Sequence, residues 1–403
     1  MKQGMISGLA LAAATAALVA GSAGAQTMPM APAPMGQPGI AFSGAKPVAE
    51  NQAVLDALAA LKLRPYFTLS PQQARLQPSF TDGVMAAMRA RGLPITPPPG
   101  TTERDVTVAG AAGPLHAKLF TPTGVRGPLP IILYFHGGGW VLADSNVYAG
   151  GARGLARNAQ AAVLSVDYRL APEAAFPAQH DDALASYRWL LANARSLGGD
   201  PARIALAGES AGGNLAVATA IAARDAGIAM PRHILSVYPI AGSDLNTPSY
   251  VENANALPLN RALMAWFFRY VPTQPAELMD PRINLVNANL AGLPPVTIVA
   301  AQIDPLRSEG ATLAERLTAA GVSVDRREYG GVTHEFFGAD GLIPAAREAQ
   351  AYAGGRLRSA LWGTAMPMDG AMPAGGAMPP MNDGSATSPA APPPPPESRG
   401  ERG

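Results

Sequence analysis

A serine stands at position 210 inside Gly208-Glu209-Ser210-Ala211-Gly212, a Gly-x-Ser-x-Gly arrangement. An apolar, strand-like run (204–207) leads into it, and an alanine-rich helical run (214–224) leads away. A turn that joins strand to helix while projecting a hydroxyl needs unusual dihedrals and close packing, and flanking glycines tolerate both. A serine hydroxyl is a weak nucleophile at neutral pH. It needs a base in reach, an acid to orient that base, and donors for the anion that forms when it attacks a carbonyl. The chemistry in prospect is acyl transfer.

Groups of this kind sit at the carboxyl ends of the strands in open parallel sheets, so the residues that follow each strand-like run are the places to look. After the run 131–135 comes His136-Gly137-Gly138-Gly139-Trp140, whose glycines leave backbone N–H groups able to approach an anionic oxygen. The chain has five histidines. His116 falls inside an early strand, His136 shapes the glycine loop, His180 sits in a helical run and His233 stands at the start of a strand. His334 follows the last strand and is the expected base. Asp304, directly after the strand at 296–301, is the expected acid. Its rival, Asp244, opens a long insertion. Glu209 flanks the nucleophile, but such a turn points it elsewhere, which suits a structural role.

The elements that must position these groups alternate. Strands are expected at 105–109, 115–120, 131–135, 162–167, 204–207, 234–238, 296–301 and 322–328. Helices are expected at 147–160, 177–196, 214–225, 308–320 and 344–361. Adjacent strands followed by strand–helix alternation predict a mostly parallel eight-stranded sheet with helices on both faces. Unbroken apolar runs such as 131–135 fit strands covered on both sides. Two pieces break the alternation. Residues 49–100 carry helical signals at 54–63, 71–76 and 81–91, and residues 244–293 form an insertion rich in aromatics (Trp266, Phe267, Phe268, Tyr270). Together they are expected to form a helical cap, with those aromatics lining either an acyl pocket or the interior of the cap.

Composition narrows the class. Residues 1–25 read as a secretion signal: Lys2, an apolar stretch at 6–20, then the small-residue site Ala23-Gly24-Ala25. The apolar stretch is shorter than the roughly 20 residues that span a bilayer, so no membrane anchor is expected and the protein is expected to be exported. Residues 26–48 and 364–403 are rich in proline, alanine and glycine and read as a disordered linker and tail, with the catalytic domain over 101–363. The tail's methionines are read as low complexity rather than as a metal site. The absence of cysteine excludes disulfides and thiolate chemistry. With 30 basic and 29 acidic residues, a net charge of +1 and no dense basic run, nothing marks a nucleic-acid partner. No metal or nucleotide motif appears, so no cofactor is expected.

These pieces jointly resemble a known family. His136-Gly137-Gly138-Gly139-Trp140, Asp167-Tyr168-Arg169-Leu170-Ala171-Pro172-Glu173, Gly208-Glu209-Ser210-Ala211-Gly212-Gly213 and Asp304-Pro305-Leu306 with His334 are similar to the hormone-sensitive-lipase-like branch of the α/β-hydrolases, the bacterial family IV carboxylesterases. The order Ser210, Asp304, His334 is the order of that fold. The resemblance implies an α/β-hydrolase fold with a helical cap and a catalytic triad of Ser210, Asp304 and His334. It implies oxyanion donors at the backbone N–H groups of Gly137, Gly138 and Ala211, and cofactor-free hydrolysis of small-molecule esters with short- to medium-chain acyl groups. The 167–173 block is expected to tie a strand end to its neighbours. Two positions depart from the family pattern: many members have glycine where Glu335 stands, and an acidic residue where Ser308 stands. The same triad would also serve a deacetylase of polysaccharides or natural products, or a peptidase. A non-catalytic ligand-binding protein on this scaffold is a reading of another class, and the presence of His334 speaks against it.

Overall fold

The structure, a computed structural model, describes residues 44–363. The expected signal segment (1–25), residues 26–43 of the expected linker and the tail from residue 364 lie outside the described residues, whereas residues 44–48 of that linker are described and end with the Val48 N–H donating to the Gly331 carbonyl (2.8 Å). Three helices come first: α1 (Ala49–Ala60), α2 (Pro71–Ala74) and α3 (Phe80–Ala90). Ser70 and Ser79 start α2 and α3 with reciprocal capping boxes, in which each serine oxygen accepts a backbone N–H and the side chain of Gln73 or Asp82 answers in return.

Strands β1 (Thr101–Gly110) and β2 (Gly113–Pro122) form a hairpin, and β3 (Leu129–Phe135) leads through α4 (Ala149–Ala159) to β4 (Ala162–Val166). Then follow α5 (Ala178–Asn193), β5 (Gly199–Glu209), α6 (Ala211–Asp225) and β6 (Ile234–Val237). The insertion holds α7 (Pro248–Glu252) and α8 (Arg261–Tyr270), and the chain ends with β7 (Val296–Ile303), α9 (Arg307–Ala319), β8 (Val324–Thr333) and α10 (Pro344–Trp362).

The eight strands form one sheet in the order β1-β2-β4-β3-β5-β6-β7-β8. β1, β2 and β4 pair antiparallel, and every later pairing is parallel. All seven residues of β3 are buried, because α5, α6 and α9 cover one face of the sheet and α4 and α10 the other. Alternation along the strand decides which face each residue serves. Ile131, Leu133 and Phe135 pack with the first group, and Ile132 and Tyr134 with the second.

Six of the strands run longer than their apolar runs suggest, whereas β4 and β6 each end one residue sooner. β8 continues through Gly330 and Gly331, where turn-like residues instead form a bulge: the β7–β8 register shifts between Ala301 and Ile303, and Gly331 takes φ +66°. The two helical pieces outside the alternation meet one another. The Trp266 indole donates to the Leu69 carbonyl (3.2 Å), and the Tyr66 ring packs edge-on against Trp266. Among the described residues no helix is long and apolar enough to cross a membrane.

Candidate active site

Four strand ends on one side of the sheet deliver the reactive side chains. Ser210 follows β5, Asp304 follows β7, His334 follows β8 and the glycine loop follows β3. Ser210 sits at φ 57°, ψ −118°, a conformation a serine adopts only when its surroundings enforce it. Here the enforcement is tight packing. A Cβ on Gly212 would lie 1.9 Å from the Phe135 carbonyl oxygen, and one on Gly208 would lie 2.1 Å from that of Gly212. The Ser210 N–H donates to Val237 O (2.9 Å) and its carbonyl accepts from Ile240 N (3.2 Å), so both backbone groups of the turn are held by the neighbouring strand end.

The expected triad is brought together. His334 Nε2 lies 3.0 Å from Ser210 Oγ, and His334 Nδ1 lies 2.7 Å from Asp304 Oδ2. All three side chains are buried. The second oxygen of Asp304 accepts from the Leu306 N–H (2.8 Å), which fixes the carboxylate's orientation. Burial alone would depress the His334 pKa. The Asp304 carboxylate, through charge and hydrogen bond, overcomes this with help from Glu335 and Glu209, leaving the imidazole above its ordinary value.

The other histidines are engaged elsewhere. His116 pairs with Asp167 (2.6 Å) and Asp105 (3.1 Å), His136 with the Gly137 carbonyl (2.8 Å), His180 with Asn214 (3.1 Å) and His233 with Thr297 (2.9 Å). Asp244 accepts from the Asn246 N–H (2.9 Å) in a local turn that opens the insertion.

Gly138, at φ +91°, and Gly139, at φ +60°, line a cavity of about 380 Å³ together with Ser210 and His334. A Cβ at Gly138 would stand 2.2 Å from the Leu142 carbonyl oxygen, so only glycine fits there. Gly137 is packed beneath the Tyr148 phenol, and Ala211 opens α6 directly after the serine. The cavity wall is largely apolar (Leu142, Val147, Leu259, Leu263, Phe267), and its size suits a small organic ligand. Of the aromatics in the insertion, Phe267 faces the cavity, while Trp266 and Phe268 are buried away from it.

Several contributors lie outside the motifs. The Asn51 amide on α1 bonds the side chain of Thr333 (3.0 Å) and accepts from its backbone N–H (3.2 Å), pinning the end of β8 one residue before His334. Nothing in the sequence around Asn51 distinguishes it from a polar position on a solvated helix. Glu209 is buried beneath the site and accepts hydroxyls from Tyr134 and Tyr238, and the Tyr238 ring packs on the His334 imidazole with centroids 4.5 Å apart. Burial raises the Glu209 pKa to about 7 despite the two phenols. The 167–173 block is indeed a set of ties. Asp167 accepts the Ser145 N–H (2.6 Å), Arg169 pairs with buried Asp182 (2.7 Å), and Glu173 receives a two-pronged bond from Arg75 (2.8 and 2.9 Å). At the other departure from the family pattern, Ser308 and Ser249 exchange backbone-to-hydroxyl hydrogen bonds at 2.9 and 3.0 Å.

A nucleophile turn after the fifth strand, with acid and histidine in loops of later parallel strands, is the layout of one superfamily, and the sequence profile of the alpha/beta hydrolase fold matches residues 132–338. This chain belongs to the α/β-hydrolase family. The hydrolase is 41% identical to Carboxylesterase NlhH of Mycobacterium tuberculosis, over 70% of this chain and 90% of that protein. It is 36% identical to an ethyl acetate hydrolase of Pseudomonas putida, over 54% of this chain and 69% of that protein. Among solved structures, the hyperthermophilic esterase of Pyrobaculum calidifontis superposes with a TM-score of 0.69 at 34% identity, covering 77% of this chain and 96% of that one. The expected kinship with the hormone-sensitive-lipase-like esterases agrees with these relatives.

Proposed function

We propose that the hydrolase cleaves small-molecule carboxylic esters of short- to medium-chain acids through an acyl-enzyme. The Oγ–Nε2 contact of 3.0 Å in line with the Nδ1–Oδ2 contact of 2.7 Å carries this reading. His334 takes the Ser210 proton as Oγ attacks the ester carbonyl. The N–H groups of Gly137, Gly138 and Ala211 hold the resulting oxyanion. His334 then passes its proton to the departing alkoxide, the alcohol leaves, and water attacks the acyl-enzyme by the same route in reverse. Asp304 holds the imidazole with Nδ1 protonated and stabilises the imidazolium. The helices of 49–90 and the insertion act as the cap that shields this chamber from bulk water. No cofactor enters the cycle. The apolar segment at 6–20 and the small-residue site at 23–25 support export of the mature enzyme, which fractionation of expressing cells tests.

The direct test is Ser210→Ala. Turnover of p-nitrophenyl butyrate should fall by roughly ten-thousandfold with an unchanged circular dichroism spectrum. A folded variant with full turnover refutes the assignment.

A further inference from the structure

One carboxyl in the reaction chamber has no part in the cycle above. Glu335, directly after His334, lies in the left-handed region at φ +69°, ψ 4°. That conformation costs a non-glycine residue of order 1 kcal/mol, and a side chain held there beside the nucleophile points to a use for it. Its Oε1 accepts from the Tyr148 hydroxyl (3.2 Å), and its Oε2 has no hydrogen-bond partner among the described residues. The side chain lines the same cavity as Ser210 and His334. Around it the wall is mostly apolar, relieved by the Tyr66 and Tyr148 phenols. The Tyr66 proton is held to about 12 by burial and by the nearby Glu335 charge. Two arginines also line the cavity. Arg75 is already committed to Glu173 and to the Val141 and Ala171 carbonyls, whereas Arg64 is exposed and forms no ion pair with Glu335. A lone acceptor oxygen in an apolar chamber discriminates strongly, because a ligand without a donor leaves it desolvated and unpaired.

We propose that Glu335 determines specificity: its unpartnered oxygen accepts a hydrogen bond from a hydroxyl that the substrate ester carries within a few bonds of its carbonyl. Building on the esterase reading, this names hydroxylated esters as the preferred class. Such a hydroxyl belongs either to the acyl chain or to the alcohol, and two matched pairs separate the cases. p-Nitrophenyl 3-hydroxybutyrate against p-nitrophenyl butyrate probes the acyl side, and 2-hydroxyethyl butyrate against propyl butyrate probes the alcohol side.

For wild-type enzyme, kcat/KM should favour the hydroxylated member of one pair. In Glu335→Gly that ratio should fall by about tenfold or more, the discrimination expected of a hydrogen bond to a carboxylate. Glycine is the residue this φ favours, so the substitution leaves the loop conformation intact. Glu335→Gln keeps its amide oxygen on the Tyr148 hydroxyl and turns its NH2 to the substrate, whose hydroxyl oxygen can accept at neutral rather than charge-assisted strength, so this variant should retain only part of the preference. Wild type and Glu335→Gly giving the same ratios in both pairs, with both proteins taking up a fluorophosphonate probe, would overturn the proposal while leaving the esterase reading in place. A wild type that turns over none of the four esters would take down both.

Discussion

Replacing Asp304 by asparagine changes one atom in a buried contact and leaves the shape of the side chain alone. The Leu306 N–H points at one side-chain oxygen of Asp304 (2.8 Å), so an asparagine there keeps its amide oxygen on Leu306 and turns its NH2 toward His334. Two donors cannot share a hydrogen bond. Nδ1 must then become the acceptor, and the ring proton moves to Nε2, which faces Ser210 Oγ at 3.0 Å. An imidazole protonated on that side cannot take the serine proton. Loss of the charge adds to the tautomer effect. An imidazolium and a carboxylate whose charge centres lie about 4 Å apart interact by about 4 kcal/mol at an effective dielectric near 20, about a thousandfold in rate. Together the two effects should lower kcat for p-nitrophenyl butyrate by roughly ten-thousandfold.

The pH profile gives an independent reading of the same contact. Activity needs neutral His334, and its pKa is held above 6.5, so the acid limb of kcat/KM in the wild type should lie above pH 6.5. With the carboxylate gone and burial unchanged, the residual activity of Asp304→Asn should persist to lower pH. Steady-state kinetics from pH 5 to 9 decide the matter. A folded variant within tenfold of wild type, or an acid limb that moves upward, would refute the reasoning.

Two further substitutions probe the surroundings of the triad. Gly138→Ala places a methyl 2.2 Å from the Leu142 carbonyl oxygen at φ +91°, so the loop must move; kcat should drop about a hundredfold or more, and a loss under threefold would show that the Gly138 N–H does not hold the oxyanion. Glu209 has a pKa of about 7 in the fold against an ordinary 4.5, so between those values the folded chain keeps a proton that the unfolded chain has released. Its contribution to stability is therefore present below pH 4.5 and lost as pH rises to about 7, by up to about 3 kcal/mol. Urea denaturation should show Glu209→Gln gaining stability relative to wild type between pH 5 and 8, and a pH-independent difference would contradict the burial assigned to this carboxyl.

Much of the site was legible because its signals are local. The conformation of Ser210 is imposed by glycines two residues to either side, and Gly138 belongs to a glycine triplet directly after an apolar strand. Chain order along a parallel sheet did the rest: residues that follow different strands converge at one sheet edge, so Asp304 and His334 could be chosen by position alone. What tertiary structure alone decided is which side chains face which neighbours. Asn51 reaches Thr333 across 282 residues, and no pattern near either residue announces that bond. Trp266, Phe267 and Phe268 are equivalent in sequence, yet helical rotation turns only Phe267 toward the cavity. Glu335 was visible as an unusual residue, but its open oxygen beside the nucleophile depends on where Tyr148 and the first helices pack. Backbone motifs are set by bonds and sterics within a few residues, whereas the lining of a cavity is set by rotamers chosen against surfaces that only the folded chain brings near.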